Sequence, residues 1–355
     1  MEKIAGAFAA LPRLSLMVRT PTTSEVFGWF ILLFGIFELA RIIAGRKNTP
    51  QKKLRDLLLG LLWVVLLLAA GGGLVARGRH EINSARLKPD EARVCMLDVG
   101  LGQSLLIELP DSKRILIDGG GRLGAINLGQ AVVARYLLAN GVRDLDMVIL
   151  THPETDHSAG LEYILDKFEV HEFLLPDRVN PIAQTLLELA EKHKIKITLF
   201  NSDLPPIFIS GAKFTFLNPP AQFNKKMTLN DTSAVFKMGY GKTSILFPGE
   251  ISSKVEDRMV GQYGGKLKSR ILIASHHGSK SSSDEDFLAA VSPSLILISG
   301  AESRHLKLPS PEALARMSAT GATILRTDLD GEIEISLTPE SATARTFHGK
   351  TLRLH

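Results

Sequence analysis

Cysteine is almost missing: the 355 residues hold one, Cys95. That excludes an internal disulfide framework and any zinc site built on thiolates. Aromatic residues make up 6% of the chain, and the four tyrosines Tyr136, Tyr163, Tyr240 and Tyr263 are scattered. No platform for stacking single-stranded bases stands out. Internal repeats and low-complexity tracts are absent. A phosphate-binding P-loop is excluded as well. "GYGKTS" at 239–244 looks like the end of one, but the glycine required five residues before Gly241 is Phe236. The stretch reads as a hairpin turn. Acid is missing from one informative place. No Asp or Glu lies between Glu38 and Asp56, where Arg41, Arg46, Lys47, Lys52, Lys53 and Arg55 fall.

What is present begins with two apolar runs. Residues 26–44, "VFGWFILLFGIFELARIIA", carry only Glu38 and Arg41 as charges, and residues 57–76, "LLLGLLWVVLLLAAGGGLVA", carry none. A bilayer core takes about 20 apolar residues in a helix, the one open structure that satisfies its own backbone. Both runs read as transmembrane helices. A second span directly after the first argues against a cleaved signal peptide. The basic loop between them belongs in the cytoplasm by the positive-inside rule, which puts everything after residue 77 outside. Glu38 is close enough to that loop for its carboxylate to snorkel. The formal charge of +5 suits an anionic partner or membrane headgroups, and ordinary surface lysines account for it equally well.

From residue 93 the pattern changes. "RVCMLDVG", "SLLIEL", "RILIDGGG" and "MVILTH" are short apolar or β-branched runs closed by Gly, Asp or His, the mark of strands. "NLGQAVVARYLLANG" has helical spacing and stops at Asn140-Gly141. "KFTFLNPP", "SAVFKMGYGKTSILFPGE", "RILIASHHG", "SLILISG" and "ATILRTDLDGEIEISL" are further strands. "DEDFLAAV" and "PEALARMSATG" are helices. Hairpins alternating with single helices predict an α/β (α+β) domain of stacked sheets with helices outside, a four-layer αββα plan. The expected division is a segment 1–25, a transmembrane hairpin 26–76, a linker 77–92 and a folded domain 93–355.

The chemistry concentrates at strand ends. "THPETDH", 151–157, brings His152, Glu154, Asp156 and His157 to the turn after an apolar strand. Imidazole and carboxylate suit zinc, manganese or iron. Taken alone, the stretch reads equally as a polar turn ending a buried strand. Its company favours a metal site. "FPGE" supplies Glu250, "ASHHGS" supplies His276 and His277, and "LIDGGG" supplies Asp118, suited to orienting a ligand histidine. Ligands at one rim for one or two divalent ions would lower the pKa of a water and stabilise the attacking and leaving oxygens of a phosphodiester displacement. The polar run "SHHGSKSSS", with His277 and Ser279, offers donors to phosphate oxygens.

These residues resemble a known family. "LDVGLGQSLLIELPDSKRILIDGGG", "YLLANGVRDLDMVILTHPETDHSAGL", "NDTSAVFKMGYGKTSILFPGE", "HHGSKSSSDEDFL" and "RTDLDGEIEI" look like the metallo-β-lactamase-fold domain of ComEC, the inner-membrane DNA-uptake protein of natural transformation. The match runs in order from about residue 93 to 340. "IAGAFAALPRLSLMVRTP" and the two spans look like the end of ComEC's membrane domain, so the chain resembles a C-terminal portion of that family, whether split, truncated or stand-alone. The resemblance implies a multi-pass protein of the bacterial inner membrane whose folded domain is extracytoplasmic and degrades DNA during uptake. His152, Asp156 and His157 fall on the family's metal motif, and Glu154 where the family has Asp. His276 falls on the metal histidine of "HHGS". Asn230 lies near an Asn-rich turn and is expected at the substrate. Asp156 and His157 are the expected catalytic pair.

The chain departs from the family in places. "DVGQGDA" is here "DVGLGQS", which brings in Leu101 and Gln103. The bridging aspartate is here Glu250, and a His-Pro is here Leu308-Pro309. Three functions follow as expectations. The first is a membrane-anchored DNA phosphodiesterase using zinc or manganese. The second is a catalytically degenerate module that binds DNA or assembles a channel. The third is a hydrolase of another phosphodiester or ester. Two spans enclose no DNA path, so the partners expected are DNA, the membrane, and a separate channel subunit or further copies of this chain.

Overall fold

The computed structural model describes residues 20–48, 54–84, 87–177, 180–222, 227–300 and 308–354. The expected segment 1–25 lies outside these up to residue 19, as do Lys52 and Lys53 of the basic loop. The chain divides into two compact units, Met1–Arg86 with Leu138–Val142, and Leu87–Leu137 with Arg143–His355.

The first unit is built on two helices, α1 (Thr23–Asn48) and α2 (Leu54–Ser84). Both contain stretches long and apolar enough to cross a membrane, Thr23–Ala44 and Arg55–His80. Thr22 and Glu25 form a reciprocal cap at the start of α1: Thr22 N donates to Glu25 Oε2 at 2.9 Å and Glu25 N to Thr22 Oγ1 at 3.2 Å. The helices run antiparallel and touch through small residues. A Cβ on Gly28 would lie 2.8 Å from the Gly71 carbonyl oxygen, and one on Gly71 equally close to that of Gly28. Such close backbone approach is the usual packing of helices in lipid. Glu38 is held by Arg41, whose guanidinium donates at 2.7 and 2.9 Å. An ion pair, in addition to the expected snorkelling, thus accommodates this acid. Residues 77–84, expected in the linker, continue α2, because "ARGRHEINS" contains no helix breaker after Gly78.

The second unit opens with antiparallel strands β1 (Ala92–Met96), β2 (Leu105–Leu109) and β3 (Lys113–Ile117), then a small hairpin of β4 (Arg122–Leu123) and β5 (Ile126–Asn127). A π-helical turn, Gly129–Val133, leads into α3 (Ala134–Ala139), which stops just before the expected Asn140-Gly141. Next come β6 (Asp144–Ile149), α4 (Thr155–Lys167), β7 (Glu169–Pro176), α5 (Pro181–Lys192) and β8 (Lys196–Phe200), with β3, β6, β7 and β8 parallel. The second sheet is built from β9 (Ile207–Ile209), β10 (Ala212–Asn218), β11 (Val235–Tyr240) and β12 (Thr243–Phe247), all antiparallel. The turn between β11 and β12 is the "GYGKTS" stretch, with Gly241 at φ +54°. Then follow α6 (Ser253–Tyr263), β13 (Ile271–Ile273), α7 (Glu285–Val291), β14 (Leu295–Ile298), α8 (Pro311–Ala319) and β15 (Thr323–Arg326). These three strands run parallel to β12. After a short helix α9 (Thr327–Asp330) the chain returns to the first sheet as β16 (Ile333–Leu337), β17 (Ala342–Thr346) and β18 (Thr351–Leu354).

The sheets have nine strands, β18-β17-β16-β1-β2-β3-β6-β7-β8, and seven, β15-β14-β13-β12-β11-β10-β9. Their facing sides hold one apolar core. Phe200, Phe216, Phe236 and Phe247 form a chain of rings 4.5–5.5 Å apart within it. Each such ring contributes roughly 1.5–3 kcal/mol on burial. A second cluster joins the outer face of the seven-stranded sheet to α6, α7 and α8. The fold class is the expected layered α/β plan. Its value for the site is geometric: β3, β6, β12, β13, β14 and β15 all end at the same side, and their following loops converge there.

Candidate metal centre

The loops after β3 and β6 are locked by close backbone packing. Gly119 N donates to the His157 carbonyl at 2.8 Å, and Gly160 N to the Gly120 carbonyl at 2.9 Å. A Cβ on Gly160 would lie 1.8 Å from the Gly119 carbonyl oxygen, so only glycine lets the first turns of α4 come this close. The turn fixes Asp118, at φ 56°, beneath His157. Cross-sheet hydrogen bonds close the same end: Ala234 N to the Thr151 carbonyl and Ser299 Oγ to the Gly102 carbonyl, both at 2.7 Å.

Three imidazoles are anchored by Nδ1. That of His157 donates to Asp118 Oδ2 at 2.7 Å, and that of His277 donates to the Ser299 carbonyl at 3.0 Å. Thr151 Oγ1 spends its one proton on Asp118 Oδ2 at 2.7 Å, so His152 Nδ1, 3.1 Å away, donates to Thr151 Oγ1. Assigned from this network, every neutral ring presents a bare Nε2 to the centre. All three point at one carboxylate. Glu250 Oε1 is 3.1 Å from His157 Nε2 and 2.9 Å from His277 Nε2, and Oε2 is 3.2 Å from His152 Nε2. His157 and His277 place their Nε2 atoms 3.3 Å apart.

Lone pairs facing lone pairs at such distances repel unless protons or cations lie between them. The buried His152 Nε2 has no hydrogen-bond partner, its approach to Glu250 being an ionic contact only. Without metal, protons fill the role. Burial opposes charge on His157, but the Asp118 carboxylate, with Glu250, outweighs it and holds the ring well above the usual histidine range. Burial works to raise the Glu250 carboxyl, and contacts with His152, His157 and His277 outweigh that and hold it far below the carboxylate range. His276 is pushed down by burial, against the pull of Glu250. Buried bare imidazole nitrogens around shared carboxylate oxygens form a donor set suited to divalent ions.

Two groups of donor atoms, each within 4.8 Å of one another, satisfy that description: Asp156, His157, Glu250 and His277, and His152, Glu154 and Glu250. Glu250 belongs to both. Asp156 and Glu154 supply the exposed sides, at 40% and 38% side-chain exposure. The structure therefore brings together His152, Glu154, Asp156, His157 and Glu250, with Asp118 behind His157. The adjacent histidines divide differently from expectation. His277, expected at the substrate, enters the cluster. His276, expected as a ligand, stands at the rim with its Nε2 3.7 Å from Glu250 Oε2 and 30% exposure, outside both groups. Both residues have left-handed φ, 49° and 53°, and the bond to Ser299 selects His277. Asn230, expected at the substrate, donates its Nδ2 to Glu250 Oε2 at 2.7 Å. Ser279 Oγ pairs with Ser281 Oγ at 3.0 Å, at the surface.

Sequence reasoning missed several supports. Thr151 and Ser299 carry no signal of their support role, and Gln103, met only as a departure within "DVGLGQS", donates its Nε2 to Asp118 Oδ2 at 3.3 Å. The glycine run 119–121 does carry a signal, since consecutive glycines mark close backbone approach.

A fold of two packed sheets with metal-ligand types at the shared strand ends defines a class of metal-dependent hydrolases. The family model described as the metallo-beta-lactamase superfamily matches residues 97–298, more than half of the chain, and the chain belongs to that superfamily. It is also similar to "Competence protein ComA" of Neisseria gonorrhoeae, 30% identical over 275 residues, covering 78% of this chain and 35% of the relative. "ComE operon protein 3" of Bacillus subtilis is 28% identical over 259 residues, covering 69% and 33%. The expected ComEC-like character stands, and the chain spans about a third of the length of these curated relatives. Among solved structures, the metallo-beta-lactamase fold protein YhfI of Bacillus subtilis is similar at 14% identity and a TM-score of 0.44, covering 67% of this chain and 97% of YhfI.

Proposed function

We propose that the chain is a membrane-anchored phosphodiesterase that uses two divalent ions, zinc or manganese, to cut DNA outside the bacterial cytoplasmic membrane during DNA uptake. The observation that carries this reading is Glu250, one buried carboxylate shared between two groups of metal-ligand types. The competence names of the relatives point to DNA, and two apolar helices supply the anchor.

The chain's own residues have separate tasks in this reading. His157, His277 and Asp156 would hold one ion and His152 and Glu154 the other, with Glu250 available to both. Bound ions supply Lewis acidity, lower the pKa of a water and stabilise the attacking and leaving oxygens. Asp118, Thr151 and Ser299 keep the three rings from rotating, so the Nε2 atoms are preorganised. Asp156 Oδ2, 3.9 Å from His157 Nε2 and 3.8 Å from His277 Nε2, is the exposed carboxylate positioned to orient a water and take its proton. His276 at the rim hydrogen-bonds a phosphate oxygen. Two helices enclose no path for DNA, so transport in this reading needs further membrane spans.

The test is cleavage of single- and double-stranded DNA by the full chain in detergent, in manganese or zinc. Cleavage that vanishes in His157→Ala supports the proposal. DNA retained intact with every metal makes the chain a binding or assembly module.

A further inference from the structure

The outer face of the seven-stranded sheet carries a second concavity, built from none of the metal-centre residues. The register pairs Thr215 with Lys237 and Lys213 with Gly239, so these residues share the outer face of β10 and β11. Tyr263 at the end of α6 and Lys266 just beyond it close the other side. Together with Ser202 they line a cavity of about 500 Å³. Gly239 makes room for it: a Cβ there meets no atom within 4 Å. Cavities of this size, roughly 300–1,000 Å³, are typical of small-ligand sites.

The lining is cationic, offset in part where Lys213 Nζ lies over the Phe208 ring, 5.8 Å from its centre. It contains three lysines and no carboxylate. Among the described residues, none of Lys213, Lys237 and Lys266 makes an ion pair. Lys237 is half-buried, and its ammonium donates to the Lys266 carbonyl at 3.0 Å and to the Lys268 carbonyl. Two of its three protons are thereby used and the third is free. Burial, with repulsion from Lys213, pushes its pKa down, so a bound anion would relieve both. Thr215, Ser202 and Tyr263 add hydroxyl-bearing side chains to the lining, the Tyr263 hydroxyl donating to the Leu217 carbonyl at 2.9 Å, and Phe216 and Leu217 contribute to the wall. A lone phosphate fills a small part of such a volume. A nucleotide matches it, with its phosphate on the lysines and its sugar and base along the wall.

We infer that this cavity is a nucleotide-phosphate site, taking a phosphate-bearing nucleotide either free or within a single DNA strand. The proposal goes beyond the metal centre, and only the identity of the strand as DNA rests on the function proposed above.

The test uses the full chain in detergent with a chelator, so no hydrolysis occurs. The probe is a short fluorescein-labelled oligothymidylate, with thymidine monophosphate and glycerophosphoglycerol as competitors. Two variants address the cavity: Gly239→Trp, which projects a large side chain suited to a strand into it, and the exposed pair Lys213→Glu with Lys266→Glu. The expected result is probe binding that weakens with salt and falls about tenfold or more in both variants. Cleavage of a small chromogenic phosphodiester in metal should stay unchanged in these variants. Displacement by thymidine monophosphate identifies a free nucleotide as ligand, and binding of the oligonucleotide alone identifies a strand. Equal binding by wild type and both variants overturns the proposal. So does displacement by glycerophosphoglycerol as strong as by the nucleotide, which would make the cavity a lipid-headgroup site. A chain that binds the probe here and never cuts DNA overturns the nuclease reading and leaves the cavity standing.

Discussion

Asn230 Nδ2 donates to Glu250 Oε2 at 2.7 Å, on the same carboxylate oxygen that lies 3.2 Å from His152 Nε2. Asn230 thus sets the plane of the carboxylate shared by the two ligand groups. Asn230→Ala is expected to weaken metal retention about 10–100-fold, the usual cost of removing an outer hydrogen bond to a ligand. Competition with a metal-chelating dye measures it. Unchanged retention would mean that the histidines alone orient Glu250.

Gln103 tests the support under His157. Its amide is one of four donors to Asp118, with Thr151 N, Thr151 Oγ1 and His157 Nδ1. Gln103→Asp puts a second buried carboxyl against Asp118, and its pKa is pushed up by burial and like charge. A group protonated more readily in the folded state contributes stability at low pH that is lost as pH rises. The variant should therefore lose more thermal stability relative to wild type at pH 8 than at pH 5. An equal loss at both would show that the position does not sense charge.

Glu256, fully buried on α6, ties down the loop that presents His276 and His277. It accepts from Ser275 Oγ at 2.9 Å and from Ser283 N and Asp284 N at 2.8 Å. Burial pushes its carboxyl from 4.5 up to about 7, against these three donors. The native state therefore holds a proton that the unfolded chain has released. Its contribution is fully present below pH 4.5 and is lost as pH rises through about 7. The difference is ~3 kcal/mol. Denaturant midpoints of the full chain should fall across that window, and Glu256→Gln should remove this step. A variant that keeps the full wild-type pH dependence would assign it elsewhere.

The site was legible where chemistry coincides with pattern. His152, Glu154, Asp156, His157 and Glu250 each follow an apolar run, and a run that ends in a ligand type is visible in one dimension. The choice between His276 and His277 was not. It depends on left-handed backbone at both residues and on a carbonyl 22 residues further along, at Ser299. Asn230 was found as a position, but its bond to Glu250, 20 residues away, was not legible. The layered fold followed from hairpins alternating with helices. The return of β16 to the first sheet did not, since "ATILRTDLDGEIEISL" reads as continuous strand and its crossover is the short α9. Strands β17 and β18 are hidden for a different reason. "ATART" and "TLRL" bury little more than Ala342, Ala344, Thr346 and Leu354.

The central claim is that one carboxylate serves two metal positions. Elemental analysis of the full chain, loaded with manganese or zinc and then dialysed, tests it most directly. The account predicts two ions per chain for the wild type, one for His152→Ala, and loss of both from Glu250→Ala. Two ions retained by Glu250→Ala, or none retained by the wild type, would contradict it.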